Sequence, residues 1–535
     1  MIQVIAPGSE LATAELLVAA LNRSCGLHAA ALCGPQALVD HPWGAAVSVL
    51  IHPRTEWAPL IEQALQGQLG SHKLVVLGRL PAELAATLGL RMGSQWPDAL
   101  WPGVQCPPAP THGQSASAAH VRYPSSAPHV AQHNPALPVR PFKRFDFADE
   151  WNNLGYGAIT ADGSCWSLAQ HATAPPAHEL AQVWVDEEAV CSYAALWDQP
   201  QCSLLWFNRA AGPIDSVEWR LVEDFVSCHR PEALPCVPVL SEIPWGFDSA
   251  ATMRLDCDEN IESARHLWQV YQNQGVPLSL AIHSKVLVDS AQHSLCREVL
   301  AQGGALLSHT ATHSPNWGGS HETAFLEGQM SIQAIEAATG HRVRYAVSPF
   351  HHTPDYARRG LSEAGLLGCI GGIIHNDPDF LMARAGIPPA CPTGFIGHSQ
   401  QCMLHGECML SQGDPLAVFK TAFDIAQRSG TFFGYLDHPF SSRYAYGWDS
   451  ETQRAQAHVS LIEHIRQTGQ RVCWANATDA MDFLHHRAHT RIQAQDQRWH
   501  VQVPNAHCPW PLAVRWQGHT GPLSSLPEQT TGATL

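Results

Sequence analysis

The sequence predicts an α/β protein in which a barrel of parallel strands and helices follows two smaller domains. Seven short apolar runs alternate with helix-like stretches over residues 246–490. A shorter βα repetition spans residues 1–105, and Trp- and Val-rich runs with one helix-like stretch occupy residues 143–245. Alternating strands and helices favour a parallel sheet covered by helices, and 535 residues suffice for three or four domains of about 150 residues each.

The composition supports folded cores and argues against several kinds of partner. Hydrophobic residues make up 45% and charged residues only 15%, which excludes a globally disordered chain. The 47 acidic residues outnumber the 31 Lys and Arg residues and give a formal charge of −16, with no dense basic run, so nucleic acid and anionic membranes are not expected partners. The low charge density is compatible with a homo-oligomer, whose stoichiometry the sequence leaves open.

The chain carries no signal for export or membrane insertion, and we expect a cytoplasmic protein. Its first residues, MIQVIAPGSE, lack a basic start followed by a long apolar stretch. The densest apolar run, Leu366 to Ile374, is about half as long as a transmembrane helix. The 16 cysteines contain no C-x-x-C pair, and we expect reduced thiols.

The segments outside residues 246–490 show no catalytic motif. Residues 1–105 are predicted to form a small parallel α/β domain, which has neither the G-x-G-x-x-G nor the G-x-x-x-x-G-K pattern of nucleotide-binding sites. Residues 106–142, rich in Pro, Ser, Ala and His, are predicted to be an exposed linker. A small α+β domain over residues 143–245 and a peripheral C-terminal tail over residues 491–535 complete the division.

Polar residues of the predicted barrel cluster at the ends of its apolar runs. The runs are TMRLDCD from 252, PLSLAI from 277, GALLSH from 304, RYAVSP from 344, LGCIGG from 367, TFFGYLDH from 431 and RVCWANA from 471. In a parallel barrel the working side chains lie at the carboxyl ends of the strands. We therefore expect these polar clusters to meet at one end of the barrel.

The first run ends in an alternating charged pattern. Arg254, Asp256 and Asp258 alternate with Leu255 and Cys257, so a strand would place the guanidinium and both carboxylates on one face. If that face is the barrel interior, the charges must pair with one another or bind a cation. A charged strand on the protein surface explains the pattern equally well.

The third run leads into Ser308-His309-Thr310-Ala311-Thr312-His313. An H-x-x-x-H pair can bring two imidazoles onto one helical face, within reach of one metal ion. The 32 histidines make chance pairs common, and His129/His133 and His485/His489 have the same spacing. The pair His309/His313 differs because it directly follows an apolar run, which favours metal binding over two solvent-facing histidines.

The sixth run ends in Tyr435-Leu436-Asp437-His438-Pro439. The imidazole of His438 can donate a proton near neutral pH, since its ordinary pKa is about 6.5. A structural histidine is the alternative, and the two other polar clusters favour a catalytic role.

In this order, the D-x-D, the H-T-x-x-H, the turn Ser348-Pro349-Phe350 and the late strand-end His resemble the NodB-like polysaccharide deacetylases, carbohydrate esterase family four. The resemblance covers roughly residues 246–490. It implies a distorted (β/α)7 NodB-type barrel, preceded here by the two smaller domains.

The resemblance also implies roles for individual residues. One divalent metal ion, with Zn²⁺ as the first expectation, would be bound by Asp258, His309 and His313. Asp256 would act as the general base and His438 as the general acid. The backbone N–H of Phe350 would help hold the oxyanion.

Three departures from the family pattern leave questions open. The D-x-D spacing also occurs in a branch that deformylates a lipid-linked aminoarabinose, so the acyl group is acetyl or formyl. The Arg that usually pairs with the base is replaced by Ala346 and Val347, and our hypothesis is that Arg254 supplies this charge. The acidic residue of the family's fourth motif has three unranked candidates: Asp377, Asp379 and Asp437.

The function that the resemblance implies is removal of an N-acyl group from an amino sugar or glycan intermediate, for surface polysaccharide. Arg443 is expected to bind a substrate carboxylate or phosphate bidentately, although loop packing explains its segment equally well. One alternative is a metal-dependent amidohydrolase acting on a small non-sugar amide. Another is an inactive barrel that serves as a glycan-binding scaffold.

Overall fold

Two large sheets organise the part of the chain that the structure describes. The computed structural model describes residues 2–37, 47–93, 120–124, 139–141, 165, 168–185, 187–213, 216–371, 384–389, 391, 394–400, 402–495 and 498–526. One sheet is built from the N-terminal part of the chain and the other from residues 249–475.

The N-terminal sheet has the strand order β2-β1-β3-β4-β11-β10-β9-β6-β7. Its strands and the small β5–β8 pair are β1 (Ile2–Ile5), β2 (Ala30–Cys33), β3 (Val47–Ile51), β4 (His72–Leu77), β5 (Arg91–Met92), β6 (His120–Arg122), β7 (Val139–Pro141), β8 (Ala172–Thr173), β9 (Glu179–Val185), β10 (Glu188–Gln199) and β11 (Cys202–Phe207). The helices of this part are α1 (Leu11–Cys25), α2 (Ala58–Leu65), α3 (Ala82–Thr87) and α4 (Ser216–Cys228). Pairing is parallel from β2 to β11 and antiparallel from β11 to β7.

This sheet differs from the two separate small domains that the sequence predicts. Strand β4 pairs in parallel with β11, in register from His72 beside Cys202 to Leu77 beside Phe207. Every residue of both strands is buried. Because buried backbone groups need hydrogen-bond partners, strands predicted in two separate domains complete one ladder.

Parts of the predicted linker and tail also belong to sheets. Strands β6 and β7, within residues 106–142, extend the N-terminal sheet. In the tail, β24 (Ala513–Trp516) pairs with β12 (Val239–Leu240) and β25 (His519–Pro522), and β22 (Arg491–Gln495) pairs with β23 (Arg498–Gln502) in a hairpin. The described tail residues therefore contact the rest of the chain through β24, whereas the β22–β23 hairpin is mostly exposed.

The second sheet has the order β18-β17-β16-β15-β14-β13-β20-β19, and β21 also pairs with β13. All its pairs are parallel. Together with the tail strands, the strands are β12 (Val239–Leu240), β13 (Ser249–Cys257), β14 (Ser279–Ile282), β15 (Ala305–Ser308), β16 (Tyr345–Val347), β17 (Gly368–Gly371), β18 (Ile396–Ser399), β19 (Cys402–Met403), β20 (Phe433–Asp437), β21 (Val472–Ala475), β22 (Arg491–Gln495), β23 (Arg498–Gln502), β24 (Ala513–Trp516) and β25 (His519–Pro522). The helices are α5 (Arg265–Asn273), α6 (His293–Ala301), α7 (His321–Thr339), α8 (Asp355–Glu363), α9 (Ala417–Ser429), α10 (Glu451–Thr468) and α11 (Ala477–Ala488).

The α/β barrel predicted for residues 246–490 is confirmed by this parallel sheet with its interleaved helices. Each of the seven predicted apolar runs contains a strand. The structure adds β18 and β19, which are only four and two residues long. Their segment, GHSQQCML, alternates small and polar residues and lacks the apolar run by which the other strands were recognised.

The order of the strands brings the polar clusters together. Strands β15, β14, β13 and β20 are consecutive neighbours, so the carboxyl ends of β13, β15 and β20 lie within four adjacent strands. Leu255 and Cys257 face the buried apolar core, as the alternation predicts. Among the described residues, no helix combines the length and the apolar character needed to cross a membrane.

Candidate active site

The first polar cluster forms a buried ion pair at the end of β13. Arg254 donates from Nε to Asp256 Oδ1 at 2.7 Å and from Nη2 to Asp256 Oδ2 at 3.3 Å. Both side chains are only 4% exposed. Burial alone would raise the pKa of Asp256, but Arg254 and the nearby His309 outweigh it and hold that pKa below its ordinary value. Asp256 is therefore ionised at neutral pH.

Three metal-binding groups converge beside this pair. Asp258 Oδ1 lies 3.2 Å from His309 Nε2 and 3.6 Å from His313 Nε2, and the two Nε2 atoms are 3.1 Å apart. One oxygen and two imidazole nitrogens at these separations suit a small divalent cation such as Zn²⁺. The structure thus brings together the three residues predicted as metal ligands.

The hydrogen bonds around the two imidazoles test whether a cation fits. His309 Nδ1 lies 3.1 Å from the carbonyl oxygen of Val347, an acceptor, so Nδ1 carries a proton and Nε2 is the atom that faces Asp258. Burial alone would lower the pKa of His309, but the carboxylates of Asp256 and Asp258 outweigh it and raise that pKa, so a cation bound at Nε2 would replace a proton there. Burial, followed by the neighbouring His309, lowers the pKa of His313 to about 4, which makes its imidazole neutral at pH 7. Asp258 Oδ1 is buried and accepts no hydrogen bond. A buried carboxylate oxygen that faces two imidazole nitrogens at these distances fits a bound cation.

The H-x-x-x-H segment reaches this geometry through a turn, whereas its spacing predicts two histidines on one face of a helix. β15 ends at Ser308, and no helix spans residues 309–313. Thr310 and His313 have φ values of 68° and 55°, and Thr310 Oγ1 accepts a 2.7 Å hydrogen bond from the N–H of His313. The backbone must turn sharply because both imidazoles have to point at one site from the end of a strand.

Glu327 on α7 holds this turn from behind. Its buried carboxylate accepts hydrogen bonds from the N–H groups of Ala311 and Thr312 at 2.8 and 2.9 Å and from Thr312 Oγ1 at 2.6 Å. Charge-assisted bonds of this kind are stronger than neutral ones. Glu327 therefore orients the two histidines without touching the cation site.

Replacing Glu327 by alanine is expected to weaken Zn²⁺ binding about 10- to 100-fold, the usual effect of losing a residue that orients metal ligands. The dissociation constant, measured by competition with a chelator, checks this. Glu336→Ala is the matched control, because Glu336 lies on the same helix in an exposed ion pair with Arg342. Equal Zn²⁺ affinity of the two variants would show that the turn orders itself without Glu327.

His438 lies across the site from the two histidines. Its Nε2 atom is 3.9 Å from Asp258 Oδ2, and the residue is 7% exposed. Burial lowers the pKa of His438, and the carboxylates of Asp256 and Asp258 oppose that effect only partly. An imidazolium with a lowered pKa is a stronger proton donor than an ordinary one.

A buried network supports His438 from below. Asp437 Oδ1 accepts the N–H of His438 at 2.7 Å, and Asp437 Oδ2 accepts Arg454 Nε at 2.6 Å and contacts His458 Nε2 at 3.0 Å. Although burial alone would raise the pKa of Asp437, Arg454 and His458 hold it well below its ordinary value. Of the candidates for the fourth acidic residue, Asp437 lies next to His438, whereas Asp377 and Asp379 lie outside the described residues.

Asp437, His438 and His405 form a second group whose ligand atoms lie close together. The Asp437 carboxylate already bonds Arg454, whose charge balances its own, and contacts His458. This second group is therefore a hydrogen-bonded support, whereas in the group at Asp258 the Oδ1 atom is buried without a hydrogen-bond partner.

The two predicted substrate residues lie at the mouth of the site. Phe350 has a φ of 52° and is 56% exposed, and its ring centroid is 5.0 Å from that of His313. The Arg443 side chain is 69% exposed and pairs with Glu259 Oε1 at 2.9 Å. The oxyanion role of the Phe350 N–H and the substrate role of Arg443 remain predictions.

Sequence reasoning missed the residues that support this site. Glu327, Arg454 and His458 lie on helices and reach it only through the fold. None follows an apolar run, and none belongs to a local motif. A buried charge on an otherwise amphipathic helix would have been the only available signal, and the sequence alone does not reveal which helix face is buried.

Comparison with known proteins reveals likeness in fold at low sequence identity. No family model matches the sequence, and no curated protein gives a significant match. The solved structures to which the chain is similar include the Xyl-CE4 domain of a multidomain xylanase from the hindgut metagenome of Trinervitermes trinervoides, which is 13% identical, with 44% of this chain and 90% of that one covered and a TM-score of 0.30.

Two further similar structures are an acetyl xylan esterase and an allantoinase. A family 4 acetyl xylan esterase from Clostridium thermocellum, in complex with a cobalt ion, is 11% identical, with 43% of this chain and 90% of that one covered and a TM-score of 0.30. Puue allantoinase is 14% identical, with 46% and 93% covered and a TM-score of 0.33. Two of these three structures carry carbohydrate esterase family four in their names, the family that the motifs of this chain resemble.

Proposed function

We propose that this protein is a divalent-cation-dependent hydrolase that removes an N-acetyl or N-formyl group from an amino sugar or glycan intermediate. One observation carries the proposal: Asp258 Oδ1 and the Nε2 atoms of His309 and His313 converge beside an ionised, Arg-paired carboxylate. A metal site, a base and an acid in one place are what hydrolysis of an unactivated amide requires.

Each residue of the site supplies one part of amide hydrolysis. A divalent cation supplies Lewis acidity, which polarises the substrate carbonyl and makes a water molecule more acidic. Asp256 accepts the proton of the attacking water, since Arg254 keeps it ionised. His438 then donates a proton to the leaving nitrogen, which would otherwise depart as an unstable anion.

The number of ligands and their exposure favour catalysis over a structural role for the cation. Three protein ligands are typical of catalytic zinc sites, in which a further position stays open. The His309 side chain is only 3% exposed, whereas that of His313 is 23% exposed and lies beside the exposed ring of Phe350. Substrate would therefore approach from the side of His313 and Phe350.

The assignment to a sugar substrate rests on the ordered motifs. The D-x-D, the H-T-x-x-H, the Pro-Phe turn and His438 resemble the NodB-like deacetylases, which implies an N-acylated amino sugar. The exposed ring of Phe350 at the mouth suits the apolar face of a sugar ring. A role in making surface polysaccharide is part of the same proposal.

Arg254→Met is expected to move the acidic limb of the pH–kcat/KM profile to higher pH. Without the guanidinium, only the imidazoles of His309 and His438 oppose the effect of burial, so the pKa of Asp256 rises and the base is protonated over part of the pH range where the native enzyme works. Each unit of increase in that pKa costs roughly tenfold in activity on the acidic side. Arg254→Lys, which retains the charge, should recover part of the loss, and an Arg254→Met profile equal to that of the native protein would remove Arg254 from the mechanism.

The test of the proposed function is release of acetate or formate from a panel of N-acetyl and N-formyl amino sugars and their oligomers. Full-length protein stripped by a chelator is compared with the same protein reloaded with Zn²⁺, Co²⁺ or Mn²⁺, and simple cyclic amides serve as the comparison substrates. We expect cation-dependent acyl release from at least one sugar. Hydrolysis of the cyclic amides alone would support an amidohydrolase that acts on small amides. A protein that binds no cation stoichiometrically and hydrolyses none of the substrates would support an inactive scaffold.

A further inference from the structure

Tyr444, which follows the predicted acid His438 in the sequence, contacts the proposed metal ligand Asp258. Tyr444 donates a hydrogen bond from its hydroxyl to Asp258 Oδ2 at 2.9 Å. Its ring also stacks on the imidazole of His438, with centroids 5.1 Å apart and planes 9° from parallel. One side chain thus contacts both the ligand carboxylate and the acid.

The two oxygens of Asp258 have different neighbours. Oδ1 faces the histidines, 3.2 Å from His309 Nε2 and 3.6 Å from His313 Nε2. Oδ2 receives the Tyr444 hydroxyl, and His438 Nε2 is 3.9 Å away. Because Tyr444 occupies Oδ2, the carboxylate presents Oδ1 to the cation site, and His438 is not drawn into a close ion pair with the ligand.

The segment that carries Tyr444 is fixed by its own packing. Gly447 has a φ of 76°, and the backbone of Glu407 lies against it, so a Cβ there would lie 2.4 Å from Glu407 N. Glu407 also donates its N–H to the carbonyl of Tyr446 at 2.9 Å, and Trp448 is buried. A segment anchored in this way can hold a side chain in one orientation.

A second contact from the same segment reaches the residue after Asp258. The Arg443 guanidinium donates to Glu259 Oε1 at 2.9 Å. Tyr444 and Arg443 thus bond two consecutive residues just beyond the end of β13. The exposed Arg443–Glu259 pair adds little energy by itself, so the half-buried hydrogen bond from Tyr444 to Asp258 is the contact on which the inference depends.

We propose that Tyr444 is a positioning residue that orients the Asp258 carboxylate for cation binding and keeps His438 in place. This inference rests on the proposed function, because it assumes that Asp258 is a metal ligand. Residues that hydrogen-bond a metal ligand fix its orientation, and their loss weakens metal binding. The Tyr444 hydroxyl is therefore needed for cation affinity, while the Tyr444 ring packs on His438.

The test compares Zn²⁺ affinities of full-length protein by competition with a chelator. Tyr444→Phe retains the ring and is expected to raise the dissociation constant about 10- to 100-fold. Tyr356→Phe is the matched control, because Tyr356 donates its hydroxyl to the carbonyl of Asn316 at 2.7 Å and does not contact Asp258. We expect the control to remain within about threefold of the native constant.

A second readout does not depend on turnover. Loading with Co²⁺ gives a visible absorption spectrum that reports ligand geometry, and Tyr444→Phe should change this spectrum while Tyr356→Phe leaves it unchanged. Tyr444 is half-buried in a surface segment, so the variant should keep its thermal midpoint within about 2 °C.

The outcomes separate this inference from the proposed function. If the native protein binds no Zn²⁺ stoichiometrically, the metal site itself is wrong. If the native protein binds tightly and Tyr444→Phe has the same constant and spectrum, only the role of Tyr444 is overturned.

Discussion

Replacing Asp256 by asparagine is expected to lower kcat about 10²- to 10⁴-fold, the contribution typical of a positioned general base. Asparagine has the same shape and can still accept the hydrogen bond from Arg254 Nε, but it cannot take a proton from water. Cation binding should persist, because Asp258, His309 and His313 are unchanged. Turnover on an N-acyl amino sugar and the bound metal content check both halves of this prediction.

Asp248→Asn is the matched control for this variant. Asp248 immediately precedes β13, at its other end, where it pairs with Arg471 on the surface. Removing that charge should leave kcat unchanged, since exposed ion pairs contribute little. An Asp256→Asn protein that is as active as Asp248→Asn would mean that another group accepts the proton.

Removing either histidine of the proposed metal site is expected to abolish both cation binding and activity. His309→Ala or His313→Ala leaves two protein ligands, and the Zn²⁺ dissociation constant should rise by more than about 100-fold, beyond the effect of losing an orienting residue. The His309→Ala substitution also removes the imidazole that hydrogen-bonds the carbonyl oxygen of Val347. Metal content after dialysis and calorimetric titration with Zn²⁺ measure the loss.

A second pair of histidines with the same spacing provides a control for the metal-site variants. His485 and His489 have the same H-x-x-x-H spacing at the end of α11, and their rings stack 4.1 Å apart. No carboxylate completes a metal-binding group with them among the described residues. The double variant His485→Ala/His489→Ala should retain full Zn²⁺ binding; loss of binding there, with retention in His309→Ala, would place the cation elsewhere.

Local patterns predicted the strands well where a strand is apolar and long. β13 and β20 each follow from one apolar run, and the alternation of Arg254 and Asp256 with Leu255 follows from the geometry of a strand. β18 and β19, the strands at the two ends of the second sheet, were not predicted because their residues, IGHS and CM, form no apolar run. The shared N-terminal sheet was not predicted for a different reason. The pairing of β4 with β11 joins residues about 130 positions apart, and local sequence patterns carry no information about such a pairing.

The sequence by itself predicted which chemical groups the proposed site contains, because ligand and proton-transfer chemistry belongs to the residue type. Its predictions, Asp256, Asp258, His309, His313 and His438, rest on clusters at the ends of apolar runs and on the order of the motifs. Only the tertiary structure decided how these groups are oriented. The turn at residues 309–313, the carboxylate of Glu327 fifteen residues further on and the hydroxyl of Tyr444, 186 residues from Asp258, act across space. Orientation depends on contacts between distant segments, and those contacts exist only when the chain has folded.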